Sequence, residues 1–376
     1  MKRQVLIFSN RKVSSAPRIL REIEALKDHF GIHLTGEEAV FQTEHAYSCI
    51  YDFRSTADKL KSKSAQWLKQ VERSPSYSRI GKYIRENNIS LVIFHEPNFL
   101  SLALALKKKY GVKIIFNAHE YHPQEFEDLP GWLETEGIYF TELYRSCLPQ
   151  FDLVINVCES IRLKCLEEFK ADSIVIPNAA SLKELSVQSN TGFPVRMIHH
   201  GVNLPSRKVE NMIEIAARLG ANYSLDLMLT SVNGNESYDE AIRKKIAETP
   251  NVSWKKPVAI HQICSEINPY DIGLFYLEPT NFNYRYALPN KLFEFIQARL
   301  AIAISPSPEM KNLVQKYELG VCADDFSINS MVEKISALSR EAIQRFKQNS
   351  DQAAHLENTE KYNAVYLAKI LSLFHN

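Results

Sequence analysis

Short, uninterrupted apolar runs alternate with stretches of helical spacing along the chain. In the first half the runs are "QVLIF", "LVIF", "VKIIFNA", "DLVINV" and "SIVIP", and residues 18–29 and 100–109 repeat apolar positions at the spacing of a helix face. Runs with no polar interruption suit strands buried on both sides, in a parallel sheet covered by helices. Residues 178–194, "NAASLKELSVQSNTGFP", are small and polar with no strong period, which predicts an interdomain linker. The alternation then restarts with "VRMIHH", "LDLMLTS", "VSW", "DIGLFYL", "LAIAIS" and "GVCAD", predicting a second doubly wound sheet. Residues 357–374, apolar at helical spacing, predict a closing helix. The expected class is α/β, with two doubly wound Rossmann-like domains over 1–180 and 181–355 and a C-terminal helix, 356–376, packing back toward the first domain. Two open sheets facing each other gather the carboxyl ends of their strands around a cleft, where ligands bind in this architecture, so sites are sought just after strands.

Composition agrees with two ordinary cores. At 376 residues the chain exceeds the size at which one core stops growing, and 45% apolar residues, 24% charged residues and a formal net charge of +1 give no global attraction to polyanions. Nucleic acid is therefore not expected as a partner. The six cysteines (49, 147, 158, 165, 264, 322) form no CxxC pair and no Cys/His metal spacing, which predicts a reducing, cytoplasmic setting. "MKRQVLIFSN" holds only four apolar residues in a row and reads as a buried strand rather than a signal peptide. No run approaches the roughly 18 apolar residues of a membrane span.

The segment "RYALPNKLFEFIQARLAIAISPSPE" places two charges in a helix otherwise directed inward. Pro289 is suited to a first turn and Asn290 can cap free amides, so a helix is expected to start there, with an end that attracts phosphate. Lys291 in that first turn is unfavourable unless it faces an anion, and Glu294, on the same face, can accept two hydrogen bonds from a ribose diol. A solvated face with a Lys/Glu pair three residues apart explains the two residues equally well. At the start of the second half, Gly201 follows a strand and permits close backbone approach, and Arg207 with Lys208 can neutralise a diphosphate; a surface Arg-Lys pair is the plainer reading of that pattern alone. In the first half, His119 and Glu120 follow the strand "VKIIFNA". His122 beside them suggests a metal, but no cysteine or further histidine completes a site, and none is expected. The first loop offers Ser14, Ser15 and Arg18 as acceptor or phosphate contacts, with an ordinary helical turn equally open. Residues 54–85 carry nine Lys/Arg against two Asp/Glu with Trp67, Leu68, Tyr77 and Tyr83 between them, suiting either an anionic membrane surface or a solvated helical face. Residues 120–136 are the opposite, with six acidic residues and no basic one.

"NYRYALPNKLFEFIQARLAIAIS" resembles the nucleotide-binding segment of retaining glycosyltransferases of the GT-B fold, family 4, and the likeness extends through "YDIGLFYL" before it and "YELGVCADD" after it. The resemblance implies that Glu294 holds the nucleotide ribose and that the helix start at Pro289, Asn290 and Lys291 lies against the diphosphate. It implies a phosphate-binding role for Arg207 after Gly201, with Lys208 beside it, and a place for His119 and Glu120 against the transferred sugar or the acceptor. Arg18 matches an arginine-led helix start. The chain departs from the family pattern where Arg299 and Ala301 replace a glycine and a proline, where Asn117 replaces an aspartate, and where Tyr286 replaces an acidic residue eight positions before Glu294.

The expectation is a glycosyltransferase moving a sugar from a nucleoside diphosphate sugar to a glycan or lipid-linked acceptor, with retention, in surface polysaccharide or glycoconjugate synthesis. No cofactor is expected. Cationic side chains and helix amides can replace a metal at the leaving diphosphate, and no DxD pair follows a strand. The setting is cytoplasmic, with residues 54–85 as the contact to the inner face of a membrane. A GT-B nucleotide-sugar epimerase and a catalytically silent nucleotide-sugar-binding subunit are the alternatives, the latter kept open by Tyr286, Arg299 and Ala301.

Overall fold

The computed structural model describes residues 2–9, 16–35, 71–73, 75–189 and 192–375. Ser14, Ser15 and most of the basic stretch 54–85 lie outside the described residues. The chain divides into two compact units, one of Met1–Pro177, Asn281–Asn283 and Tyr362–Asn376, the other of Asn178–Thr280 and Tyr284–Lys361.

In the first unit the described strands are β1 (Arg3–Phe8), β2 (Phe30–Leu34), β3 (Ile89–Phe94), β4 (Lys113–Asn117), β5 (Leu153–Asn156) and β6 (Ile174–Val175). They form one parallel sheet in the order β2-β1-β3-β4-β5-β6. Val5, Leu6, Ile7 and Phe8 of β1 and Leu91, Val92, Ile93 and Phe94 of β3 are all fully buried, which is why these strands read as unbroken apolar runs. β2, "FGIHL", lies at the sheet edge and carries His33 and Gly31, so the apolar-run pattern passes over it. The helix Pro17–Leu26 packs Ile19, Ile23 and Leu26 on one face of this sheet, and the last helix, Thr359–Ser372, adds Tyr366 and Ile370 to the same core.

The second unit repeats the plan with β7 (Val195–Val202), β8 (Tyr223–Thr230), β9 (Val252–Lys255), β10 (Ile272–Phe275), β11 (Ala301–Ile304) and β12 (Gly320–Cys322), in the order β12-β11-β10-β7-β8-β9 and again parallel. Successive residues feed opposite cores: Met197, Leu274 and Ala303 on one face, Ile198, Phe275 and Ile302 on the other. Gly273 lets the helix Asn290–Gln297 sit close, because a Cβ there would stand 2.4 Å from the Phe295 ring.

Arg299, where the family pattern has glycine, has a left-handed backbone with φ of 60° and is 1% exposed. Its guanidinium donates to Asp351 Oδ1 at 2.6 Å and to the carbonyl of Lys183 at 2.8 Å. It fastens the segment after residue 178 and the helix Arg340–Leu356 to the end of the helix Asn290–Gln297. These bonds offset the roughly 1–2 kcal/mol that the left-handed backbone costs a residue with a Cβ.

Candidate functional site

Each sheet reverses its strand order once, between β1 and β3 in the first unit and between β7 and β10 in the second. The loops beyond the carboxyl ends of such strand pairs are where open α/β sheets bind ligands. Chemistry-bearing side chains gather at both.

In the second unit, β7 carries His199, His200 and Gly201 near its carboxyl end, just before Val202. Gly201 has φ of 134°, and a Cβ on it would lie 2.7 Å from both Cε and Nζ of Lys291 and 3.8 Å from Nη1 of Arg207. The absent side chain thus lets the lysine lie on the strand end. Lys291 is 8% exposed and, among the described residues, its ammonium has no hydrogen bond and no carboxylate within ion-pair distance; its Nζ stands 5.1 Å from the centre of the Phe275 ring. Burial, and then the charge of Arg207, pushes its pKa down to about 7 against the opposing pull of Glu294. Arg207 likewise has no acidic partner among the described residues. Two cations that meet with no counter-ion make a place for an anion.

The helix Asn290–Gln297 faces this point with its amino end. Pro289 occupies the N-cap with an extended backbone, and no side chain caps the amides. Asn290 is the exposed first helical residue, so the capping role expected for it is not seen; extended Pro289 ends the preceding loop and puts Asn290 inside the helix. Ser307 steadies that loop, donating to the carbonyls of Arg285 at 2.9 Å and Ala287 at 3.2 Å. Glu294, one turn on, is half-buried, with Oε2 3.4 Å from Nε2 of His200. The His200 pKa is pushed down to about 3 by burial and by Lys291, so the ring is neutral and this approach is not an ion pair. His199 is likewise held neutral by burial and Lys291, and its Nδ1 lies 3.0 Å from the Leu274 carbonyl oxygen.

Gly201, Arg207, Lys291 and the helix start at Pro289 and Asn290 therefore come together, with Glu294 on the same helix. Lys208 is placed differently: it has a left-handed backbone with φ of 45° and pairs with Glu278, whose other oxygen takes a hydrogen bond from Asn211 at 2.8 Å. Its charge is compensated within the protein. Tyr286 is half-buried beside Arg285, the guanidinium carbon 5.9 Å from its ring centre.

In the first unit, His119 lies just beyond β4, half-buried, and Glu120 is exposed. His119 Nε2 is 3.0 Å from Nδ1 of His95, which follows β3, and His95 Nε2 is 2.9 Å from Oε2 of Glu22 on the helix Pro17–Leu26. The other oxygen of Glu22 accepts from the Tyr366 hydroxyl and from Nδ2 of Asn117 at 3.2 Å. Burial alone raises the Glu22 pKa, but the charge and hydrogen bond of His95 and the hydrogen bonds of Tyr366 and Asn117 outweigh it, leaving the carboxyl below its usual range. Arg18 donates to the Ala118 carbonyl at 3.2 Å. His122, 7% exposed, has Nδ1 2.6 Å from the hydroxyl of Tyr144, away from this chain. Sequence reasoning did not reach Glu22, His95 or Tyr366. The available signal was a second His-Glu pair, His95-Glu96, directly after β3 as His119-Glu120 follows β4. Among the described residues no group of three or more His, Cys, Asp and Glu is placed to hold a metal ion, and no helix is long and apolar enough to cross a membrane.

The family model for Glycosyltransferase Family 4 matches residues 45–184. Over those residues the chain is similar to the glycosyltransferases of that family. None of the curated proteins matches the sequence. Among solved structures, HepE from Anabaena, in complex with UDP and glucose, superposes with a TM-score of 0.71 at 12% identity over 98% of this chain and 99% of that one. The α,α-trehalose 6-phosphate synthase of Burkholderia multivorans gives 0.69 at 10% identity over 100% and 99%. A TarM mutant from S. aureus, in complex with fondaparinux, α-GlcNAc-glycerol and UDP, gives 0.61 at 15% identity over 80% of this chain and 59% of that one. The two parallel six-stranded sheets are those of the GT-B fold.

Proposed function

We propose that this protein is a glycosyltransferase that moves a sugar from a nucleoside diphosphate sugar, with retention, to a glycan or lipid-linked acceptor in surface polysaccharide or glycoconjugate synthesis. The observation that carries this reading is Lys291, a buried ammonium with no counter-ion among the described residues, lying against Gly201 beside Arg207 and the uncapped start of the helix Asn290–Gln297. A diphosphate supplies the missing negative charge, and the same cations stabilise it as the leaving group, so no divalent ion is required. Glu294, one helical turn from Lys291, is assigned to the ribose hydroxyls. UDP in the HepE and TarM complexes supports a uridine nucleotide. His119 and Glu120 are assigned to the reacting sugar or the acceptor, with Arg18 and Ser14 on the acceptor side. The basic stretch 54–85 is the proposed contact to an anionic inner membrane surface. The test is incubation with a panel of nucleotide sugars, with and without a glycan or polyprenyl-phosphate acceptor. Acceptor-dependent release of nucleoside diphosphate supports transfer. A changed sugar without acceptor would instead indicate epimerisation, and binding with no turnover a silent subunit.

A further inference from the structure

The hydrogen-bonded chain Glu22–His95–His119 joins a carboxylate inside the core to a half-buried imidazole, and neither Glu22 nor His95 has a part in the function proposed above. Four separate elements build it: the helix Pro17–Leu26, the residues after β3, the residues after β4, and the last helix through Tyr366. Glu22 is 3% and His95 2% exposed. Burying a carboxylate and an imidazole is costly, and apolar residues of similar volume would hold the same elements together at least as well. The arrangement therefore asks for a purpose other than packing.

With Glu22 ionised and His95 neutral, the contacts fix the protons. An ionised carboxylate only accepts hydrogen bonds, so Nε2 of His95 carries a hydrogen toward Glu22. When His95 is neutral, its Nδ1 accepts, so His119 must donate from Nε2. The lone pair of His119 is then on Nδ1. If His119 gains a proton, the resulting cation is joined through one imidazole to a fixed negative charge.

We propose that Glu22 and His95 are positioning residues for His119, fixing the orientation of its ring and the tautomer protonated at Nε2 for its part at the sugar or the acceptor. This rests on the assignment of His119 to the reacting sugar or acceptor. Tyr366 and Asn117 serve it by holding the Glu22 carboxylate ionised and in place, in the way that outer partners orient ligating histidines elsewhere. Among the described residues, the elements around His119 also carry Arg18, Arg21 and Glu24 on the helix Pro17–Leu26, Glu96 after β3, Lys113 on β4, Glu120 beside His119, and Glu360, Lys361, Tyr362 and Lys369 on the last helix.

The experiment uses the full chain labelled with 15N-histidine, His119 being assigned by its loss in His119→Gln. Two-bond 1H–15N spectra are expected to show His119 protonated at Nε2 and unprotonated at Nδ1 near neutral pH. Glu22→Gln is expected to lower the pH at which this ring titrates, and His95→Gln to give a mixture of tautomers. Both are expected to lower turnover of the donor found in the panel roughly 10- to 100-fold while UDP affinity stays within about twofold. Tyr366→Phe removes a single oxygen; if the other variants unfold, it alone is expected to shift the titration of His119 in the same direction as Glu22→Gln. A His119 protonated at Nδ1 in the parent, or one whose tautomer and titration are the same in every folded variant, overturns the proposal. His119→Ala with undiminished turnover refutes instead the assignment of His119 to the reacting centre, and the spectra keep the two failures apart.

Discussion

Lys291 makes nucleotide binding depend on pH in a direction that can be worked out beforehand. Burial and the neighbouring Arg207 bring its pKa down to about 7. A diphosphate against Gly201 adds negative charge beside it, so the bound lysine is protonated well above that pH and binding takes up a proton. The sign follows: affinity is fully developed below pH 7 and falls as pH rises through the free-state value. From pH 7 to 8.5 the protonated fraction drops from one half to about 3%, a loss of about 16-fold, or ~1.6 kcal/mol. The two histidines beside Lys291 do not titrate across this window: His200 has a pKa of about 3, and His199 also lies well below its usual range. The terminal phosphate, with its second ionisation at about pH 6, is already ionised. Calorimetric titration of UDP at pH 8, in buffers of different ionisation enthalpy, is expected to show about 0.9 protons taken up per nucleotide. In Lys291→Met the uptake disappears and affinity at pH 7 falls roughly 10- to 100-fold, the value of a hydrogen bond to a charged group. An enthalpy independent of buffer, together with an affinity flat from pH 7 to 8.5, would show that Lys291 takes up no proton on binding.

Glu294→Ala is expected to weaken UDP binding by roughly 1.5–3 kcal/mol at most, while His119→Ala leaves UDP affinity nearly unchanged and lowers turnover; equal losses of UDP affinity would show the assignments to be wrong. Arg299→Gly relieves a left-handed backbone but loses bonds to Asp351 and the Lys183 carbonyl, so a net destabilisation of roughly 1–3 kcal/mol is expected in urea unfolding, with UDP affinity retained. A variant as stable as the parent would contradict the fastening role. Transfer is expected to survive a chelator, because cationic side chains face the leaving group; loss of activity restored by magnesium or manganese would contradict this.

The alternation of apolar runs and helical stretches made the two parallel sheets legible because their central strands are buried on both faces, as β1, β3 and β11 are. β2 stayed hidden because an edge strand can carry His33 and Gly31. Around Lys291 the sequence was informative for a physical reason: a charged residue just after a proline, in a helix otherwise buried, is a local anomaly. It could not tell Lys208 from Lys291, because the pairing of Lys208 with Glu278 spans 70 positions. The chain from Glu22 through His95 was harder still to read. Each of its residues resembles an ordinary surface charge or a single histidine until folding brings together Glu22 and Tyr366, 344 positions apart.

The nucleotide is assigned to the second unit, at the carboxyl end of β7 and the start of the helix Asn290–Gln297. Hydrogen–deuterium exchange with and without saturating UDP tests this assignment most directly, since it reports where the backbone is protected without any need to know the acceptor. Slowed exchange is predicted in peptides covering residues 199–208 and 286–294, with none in residues 89–122. Protection confined to residues 89–122, with 199–208 and 286–294 exchanging as in the free protein, would contradict the assignment.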